Sequence, residues 1–348
     1  MTEYTPRRYL VVGPSWVGDM VMAQSLFAAL APKSDRHIDV LAPDWSRPLL
    51  ERMPEVDKAL SLPFGHGELK LGERRRIGKS LADQYDQAII LPNSLKSALL
   101  PWWANIPVRT GWLGELRYGL LNDARKLDKS RYPLMVQRFV ALARSPAAPV
   151  PTLDDISFPR LRASETGATA ALARFNLTLD KPVLGLCPGA EFGPAKRWPD
   201  RHYAALADEW LAKGWQVWIF GSTKDAEVAE RIRAQVTPGH QSQVHLLAGA
   251  TSLGEAIDLM AKSSAVVSND SGLMHIAAAL DRPLVAVYGS TSPGFTPPLS
   301  NKAECVSLNL TCSPCFEREC PLGHLNCLEK LPALRVSQAL ARVLEKAV

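Results

Sequence analysis

Short apolar runs alternate along the chain with longer stretches whose apolar residues recur at helical spacing. This alternation is typical of βαβ units and parallel sheets. In the first half, the runs predict strands at 10–12, 37–41 and 87–91. Helices are predicted to begin near Asp19, Ser46, Lys70 and Ser94.

The second half repeats the scheme, with predicted strands at 183–186, 216–220, 244–247, 265–268 and 284–288, and helices at 200–213, 224–235, 252–263, 271–280 and 335–346. Between the halves, residues 145–162 are rich in proline and lack helical periodicity, which indicates a linker. We therefore predict two Rossmann-like, doubly wound α/β domains, residues 1–160 and 161–348. In the second, strands one and four should lie side by side, and the loops after them should line a ligand crevice.

Composition narrows the function classes. A length of 348 residues and a charged fraction of 22% fit a two-domain globular protein. The net charge of +5 is too small to indicate nucleic-acid binding, although it is compatible with anionic small molecules or an anionic lipid surface. Residues 1–8 are polar and make a poor signal peptide, and no apolar run approaches the ~18 residues of a membrane span. A cytoplasmic location is expected.

The first candidate site is the loop from Gly13 to Asp19, between the first strand and the first helix. Its G-x4-G spacing matches neither the dinucleotide fingerprint nor the phosphate loop, which needs a lysine where Asp19 stands. A carboxylate here suits a general base that takes a proton from a hydroxyl. The alternative is that Asp19 only stabilises the start of the helix.

The second candidate site is the loop after the first strand of the second half. Gly189 and Ala190 are small enough for a backbone to approach a ligand closely. Lys196 supplies a mobile cation, which suits a pyrophosphate leaving group. The alternative is a flexible loop with a solvated Lys-Arg pair.

The third candidate site is the loop at 269–275. Ser271 is predicted to be a helix N-cap, so that the amides of Ser271 and Gly272 point at an anion. Asp270 is placed to bind a sugar hydroxyl, whereas a single histidine such as His275 is more often a packing residue. A further loop, 221–225, places Asp225 where it could bind ribose hydroxyls.

Two other clusters are open to more than one interpretation. Residues 70–79 carry five positive charges and one negative charge, which suits a solvated helix face, and nearby basic and polar residues could line an acceptor groove. Cysteines spaced C-x2-C-x4-C-x6-C, with His324 among them, could hold a structural zinc, remain reduced or form a disulfide. These cysteines are Cys312, Cys315, Cys320 and Cys327.

Together the loops resemble the ADP-heptose:lipopolysaccharide heptosyltransferase II family over about residues 9–300. The resemblance implies a GT-B fold, in which two Rossmann-like domains face each other across a cleft. It also implies an inverting, metal-independent glycosyltransferase of lipopolysaccharide inner-core synthesis, with ADP-heptose as a substrate and no required cofactor. Weak peripheral contact with the inner membrane is expected. The segments that carry the resemblance are GPSWVGDMVMAQSL, LPNSLKSAL, RTGWLGELRYGLLND, CPGAEFGPAKRWP and NDSGLMHIAAALDRPLVAVYGSTSPGFTPPL.

The resemblance also implies residue roles. Asp19 corresponds to the general base acting on the 3-hydroxyl of the first heptose of the Kdo₂-lipid A acceptor, and Lys196 to the residue that neutralises the departing ADP. The implied donor-binding residues are Gly189, Ala190, Lys196, Asp225 near the ribose, Thr251 near the adenine, Asp270, Ser271, Gly272 and His275. The candidate acceptor-binding residues are Ser15, Trp16, Asn93, Lys96, Arg109 and Arg117.

Three alternatives remain at this point. Two Rossmann-like halves also fit a nicotinamide dehydrogenase, although the G-x-G-x-x-G fingerprint is missing. A non-catalytic nucleotide-binding protein would tolerate loss of the Asp19 carboxylate. A first- or third-heptose transferase would share the donor site, and only the loops at 14–17 and 91–97 favour the second-heptose enzyme.

Overall fold

The computed structural model describes residues 7–31, 35–64 and 68–347. The chain divides into two compact units, Met1–Pro159 (unit 1) and Arg160–Val348 (unit 2). Residues 1–6, which carry most of the sequence interpreted as a poor signal peptide, lie outside the described residues. Within the described ranges, no helix combines the length and apolar character that a bilayer crossing requires.

Unit 1 is built around a six-stranded parallel sheet in the order β3-β2-β1-β4-β5-β6. Its strands are β1 Arg8–Val12, β2 His37–Ala42, β3 Lys58–Ser61, β4 Gln87–Ile90, β5 Val108–Trp112 and β6 Asp123–Arg125. Its helices are α1 Val17–Leu30, α2 Arg47–Leu50, α3 Leu71–Ser80, α4 Leu95–Trp103 and α5 Met135–Ala143. The predicted strands β1, β2 and β4 and the four predicted helix starts are confirmed to within two residues.

Unit 2 contains a second six-stranded parallel sheet, in the order β12-β11-β10-β7-β8-β9. Its strands are β7 Val183–Cys187, β8 Gln216–Ile219, β9 Val244–Leu246, β10 Ala265–Asn269, β11 Leu284–Val287 and β12 Ala303–Val306. Its helices are α6 Glu165–Arg174, α7 Asp200–Ala212, α8 Ala226–Gln235, α9 Leu253–Met260, α10 Gly272–Ala279, α11 Asn326–Glu329 and α12 Ala333–Glu345. The predicted doubly wound α/β class is confirmed for both units.

The centre of the second sheet explains where a ligand can bind. Every residue of β7 and β10 is buried, as expected for parallel strands covered by helices on both faces. The two strands pair directly, Leu184 opposite Ala265 and Cys187 opposite Ser268, which confirms the predicted neighbours at the switch point. The loops that follow both strands therefore leave the sheet side by side.

Candidate functional site

Asp19 lies in the first turn of α1, just beyond the carboxyl end of β1. The turn before it is tight because a side chain at Gly13 would place its Cβ 2.7 Å from Met20 Cε. Asp19 is half-buried, while Ser15 and Trp16, in the same turn, are exposed. The turn thus presents a carboxylate next to an exposed aromatic ring at the carboxyl edge of the sheet.

Arg117 is fully buried, unlike a residue that lines an open groove. Its guanidinium donates to the carbonyls of Trp112 and of Pro92, the latter at 2.7 Å, and lies 3.4 Å from Asn93 Oδ1. Burial lowers the pKa of Arg117 to about 10, with Glu115 opposing the shift. Arg117 therefore ties the loop after β4 to the loop after β5 and gives Asn93 its position.

The other two basic candidates of unit 1 also contact backbone. Arg109 donates at 2.7 Å to the carbonyls of Leu120 and Ile106, near the amino end of β5 and so away from the edge where Asp19 lies. Lys96 is half-buried, with its Nζ 3.3 Å from the carbonyl of Glu68. All three basic side chains thus bond to backbone carbonyls, and Arg117 is the one that is fully buried.

In unit 2 the second and third candidate loops meet at an ion pair. Lys196, at the end of a short 3₁₀ turn, places its Nζ 2.7 Å from Asp270 Oδ2. Thr291 Oγ1 donates to the same carboxylate oxygen at 2.6 Å. Both side chains of the pair are largely shielded from solvent, so their interaction is screened less than that of a surface pair.

The anchor behind this pair is Asn269, a residue to which the sequence pattern assigns no role. Its Oδ1 accepts hydrogen bonds from the backbone N–H of Trp198 at 3.1 Å and from the Tyr203 hydroxyl at 3.0 Å. Its Nδ2 donates to the Pro188 carbonyl at 2.6 Å. A fully buried amide thus fixes both ends of the loop that carries Lys196. The sequence feature that could have indicated this role is the position of Asn269 as the last residue of a buried strand.

Helix α10 begins at Gly272 immediately after the ion pair. Ser271 is the N-cap residue, as predicted, and its Oγ lies 3.3 Å from Ser268 Oγ. The first-turn amides of a helix carry partial positive charge and lack intrahelical partners. The loop therefore combines an amide cluster and an ammonium group, which together can receive a phosphate.

Asp225 lies under the loop that carries Gly189 and Ala190. Its Oδ2 accepts from the backbone N–H and hydroxyl of Ser222 at 2.9 and 2.8 Å. A Cβ at Gly189 would lie 2.5–2.6 Å from this carboxyl group, so only glycine permits the contact. Ala190 is buried, and Thr251 bonds through its hydroxyl to the Leu247 carbonyl at 3.1 Å. Asp225 and Thr251 thus both make local structural bonds.

His275 is buried one turn into α10. Burial lowers its pKa to about 4; Asp270 opposes the shift and Lys196 adds to it. The imidazole is therefore neutral at pH 7 and adds no positive charge to the site.

We expect the pH dependence of stability to report this neutral histidine. Between pH 6.5 and about 4 the unfolded chain binds a proton at His275 that the native state does not, so stability falls as the pH falls through this range. The contribution is on the order of 3 kcal/mol. Denaturant unfolding at a series of pH values should show a shallower fall for His275→Gln, whereas the exposed His37→Gln keeps it. Parallel curves for the wild type and His275→Gln would contradict the assignment.

The cysteine loop, residues 312–327, places its four cysteines and His324 around a small cavity of about 20 Å³. All four thiols are free. In the described ranges, no three His, Cys, Asp or Glu side chains are arranged to hold a metal ion. The structure therefore gives the zinc interpretation no support.

Comparisons with known proteins identify the family of the chain. The sequence model of glycosyltransferase family 9 (heptosyltransferase) matches residues 74–326. Lipopolysaccharide heptosyltransferase 2 of Salmonella typhimurium is 54% identical over 306 residues, 86% of this chain and 88% of that protein. Lipopolysaccharide heptosyltransferase 1 of Pseudomonas aeruginosa is 32% identical over 126 residues, 36% of this chain and 34% of that protein.

The solved structures give the same result. The structure of E. coli ADP-heptose lps heptosyltransferase II has a TM-score of 0.87 and 48% identity, covering 98% of this chain and 99% of that one. The resemblance seen in the sequence and the GT-B class of the fold are thus confirmed, and the dehydrogenase and non-catalytic alternatives gain no support. The chain belongs to glycosyltransferase family 9, the heptosyltransferases, and is a glycosyltransferase.

Proposed function

We propose that this enzyme transfers L-glycero-D-manno-heptose from ADP-heptose to the first heptose of the lipopolysaccharide inner core, on heptosyl-Kdo₂-lipid A, with inversion at the transferred carbon. The Salmonella relative, a lipopolysaccharide heptosyltransferase, supports a lipopolysaccharide acceptor, and the E. coli relative, an ADP-heptose heptosyltransferase, supports ADP-heptose as donor. The observation that carries the proposal is the Lys196–Asp270 pair at the start of α10, because it offers a cation and amides to a departing diphosphate.

The donor half of the mechanism belongs to unit 2. As the bond between the sugar and ADP breaks, its electron pair passes to a β-phosphate oxygen of ADP. Lys196 and the amides of Ser271 and Gly272 stabilise the negative charge that develops there. Asp270 holds the ammonium in place through Oδ2, and its other carboxylate oxygen, Oδ1, can accept a hydrogen bond from a sugar hydroxyl.

The acceptor half belongs to unit 1. Asp19 takes the proton of the acceptor 3-hydroxyl as that oxygen forms its bond to the transferred sugar, on the side opposite the departing ADP. Ser15, Trp16, Asn93 and Lys96 are proposed to contact the acceptor. The first three lie in the loops after β1 and β4, two adjacent strands, and Lys96 lies in the first turn of α4, which follows the second of these loops. Arg117 is proposed to act indirectly by holding the loop after β4, whereas Arg109 stabilises the segments near the amino end of β5.

A defined acceptor series tests the proposal. ADP-heptose is supplied with Kdo₂-lipid A or with its heptosylated form, and the product is identified by mass spectrometry and by the anomeric configuration of the new linkage. We expect transfer only to the acceptor that already carries one heptose, with inversion. Transfer to the bare Kdo acceptor, or retention of configuration, would contradict it.

The first- and third-heptose transferases remain the alternative for the same donor site. The shorter stretch matched to the Pseudomonas heptosyltransferase 1 favours the second-heptose assignment over the first. An acceptor with two heptoses, added to the same series, separates the third-heptose alternative.

We propose that contact with the membrane that carries the acceptor, at its cytoplasmic face, is peripheral and electrostatic. Lys70, Arg75, Arg76 and Lys79 are exposed on or beside α3, next to the exposed side chains of Leu69 and Leu71, whereas Arg74 is buried against Phe64. Cations at a surface of this kind are attracted to anionic lipids. Running the same assay with the acceptor in anionic vesicles tests this contact, since transfer that does not weaken with salt would contradict it.

A further inference from the structure

The cysteine loop packs directly against the loop that carries Lys196. The Ala195 N–H donates to the Arg318 carbonyl at 3.0 Å. A Cβ at Gly193 would lie 2.4 Å from that same carbonyl oxygen, so a side chain there would displace the cysteine loop. Arg318 is thus joined through its backbone to the residue that immediately precedes Lys196.

Two more bonds hold the cysteine loop to the segment that follows β11. The Phe316 N–H donates to the Ser290 carbonyl at 2.6 Å, and Ser313 Oγ donates to the Gly289 carbonyl at 2.5 Å. Ser290 adjoins Thr291, whose hydroxyl bonds to Asp270. The cysteine loop is therefore fixed to both segments that build the diphosphate site.

The side chain of Arg318 lies against the same aromatic ring as Lys196. The Phe192 ring centroid is 5.4 Å from Arg318 Cζ and 5.0 Å from Lys196 Nζ. Arg318 is exposed, and among the described residues its guanidinium has no hydrogen bond or ion pair. One aromatic ring thus brings together two cations, of which only Lys196 has an acidic partner.

The charges of Lys196, Asp270 and Arg318 explain why a second cation matters at this site. Asp270 balances the charge of Lys196, so the ammonium can contact a diphosphate oxygen but the pair adds no net positive charge to the site. A nucleoside diphosphate is a multiply charged anion, and a guanidinium matches phosphate oxygens with two parallel hydrogen bonds. Arg318 supplies the positive charge that the buried pair lacks.

We propose that Arg318 is a donor-binding residue, a second cation that the cysteine loop delivers to the diphosphate of the nucleotide-sugar. The inference rests on the proposed function for the identity of the donor. The Phe192 ring orients the guanidinium. The cysteine loop holds the Arg318 backbone at a fixed position relative to Lys196.

Calorimetric titration with ADP and with AMP tests the proposal without turnover. We expect Arg318→Ala to weaken ADP binding about 10-fold or more, since a hydrogen bond to a charged group is lost, and to weaken AMP binding less. Arg318→Lys should recover part of the affinity. The matched control is Arg335→Ala, at an exposed arginine in the first turn of α12, outside the site. ADP affinity within twofold of wild type for Arg318→Ala would overturn the proposal.

Two further measurements separate this result from the acceptor assignment. In steady-state assays, Arg318→Ala should raise the KM for ADP-heptose and leave the acceptor KM unchanged.

Gly193→Ala should weaken ADP binding when it is made in the wild-type chain, and should weaken it less when it is made in the Arg318→Ala variant, because both substitutions act on one contact. If the acceptor series fails while ADP binding still depends on Arg318, only the proposed acceptor is wrong. Equal effects of Gly193→Ala in both backgrounds would argue against the loop as the carrier of the cation.

Discussion

Replacing Asp19 with asparagine is expected to lower kcat by about 10²–10⁴-fold, the range over which a general base contributes. Asparagine has nearly the same shape, but it cannot take a proton from the acceptor hydroxyl. Binding of ADP and the melting temperature should stay close to wild type. Steady-state kinetics with the heptosylated acceptor, calorimetry with ADP and a thermal melt measure the three quantities.

The control for Asp19 is Asp44→Asn. Asp44 also begins a helical turn after a strand of the same sheet, next to β1, and it is exposed. Asp44→Asn removes one negative charge from the carboxyl edge of the unit 1 sheet but leaves Asp19, the proposed base, intact. Turnover should therefore be retained. If Asp19→Asn keeps more than a tenth of wild-type turnover, Asp19 acts only as a helix-stabilising residue and the base lies elsewhere.

Replacing Lys196 with methionine is expected to lower kcat/KM for ADP-heptose by about 10²–10³-fold, comparable to the loss of one charge-stabilising donor in other enzymes. In the proposed mechanism the ammonium faces the departing diphosphate, and methionine keeps the length and apolar stem of the side chain. The variant should also unfold at a lower temperature, because Asp270 is buried and would lose its cation.

A double variant separates catalysis from folding. Lys196→Met with Asp270→Asn removes both charges, so stability should recover relative to Lys196→Met while turnover stays low. Lys262→Met is the matched control, since Lys262 pairs with Glu165 at 2.5 Å in the same unit but outside the site. Recovery of turnover together with stability in the double variant would show that Lys196 matters for folding alone.

The central strands β7 and β10 could be predicted from sequence because they are short, mostly apolar runs whose residues are all buried. Of the four edge strands, β9 was predicted, but β3, β6 and β12 could not be. β3 reads KALS and has no fully buried residue, and β6 is three residues long with two charges. Such segments become strands because a neighbouring strand offers hydrogen bonds, which a local pattern does not reveal. Helix α6, which follows the predicted linker, is also absent from the prediction, because its buried residues are two alanines, Ala168 and Ala171, which give little apolar periodicity.

The candidate site was predictable where it depends on a single loop, and not where it depends on contacts between distant segments. The loops after β1, β7 and β10 stand out in the sequence, and the structure brings Lys196 and Asp270 together as a pair. The burial of Arg117 was not foreseeable, since its partners Pro92 and Trp112 come from separate loops. The contact between Phe192 and Arg318 joins positions 126 residues apart, with no signal in either segment.

The outermost strands of both sheets have a consequence for handling the protein at high concentration. Each of the four sheet margins ends in a strand of three or four residues, and three of these strands carry charged side chains: β3, β6 and β12. A margin this short offers few backbone groups to which another molecule could add a strand. Native self-association through β-pairing is therefore disfavoured.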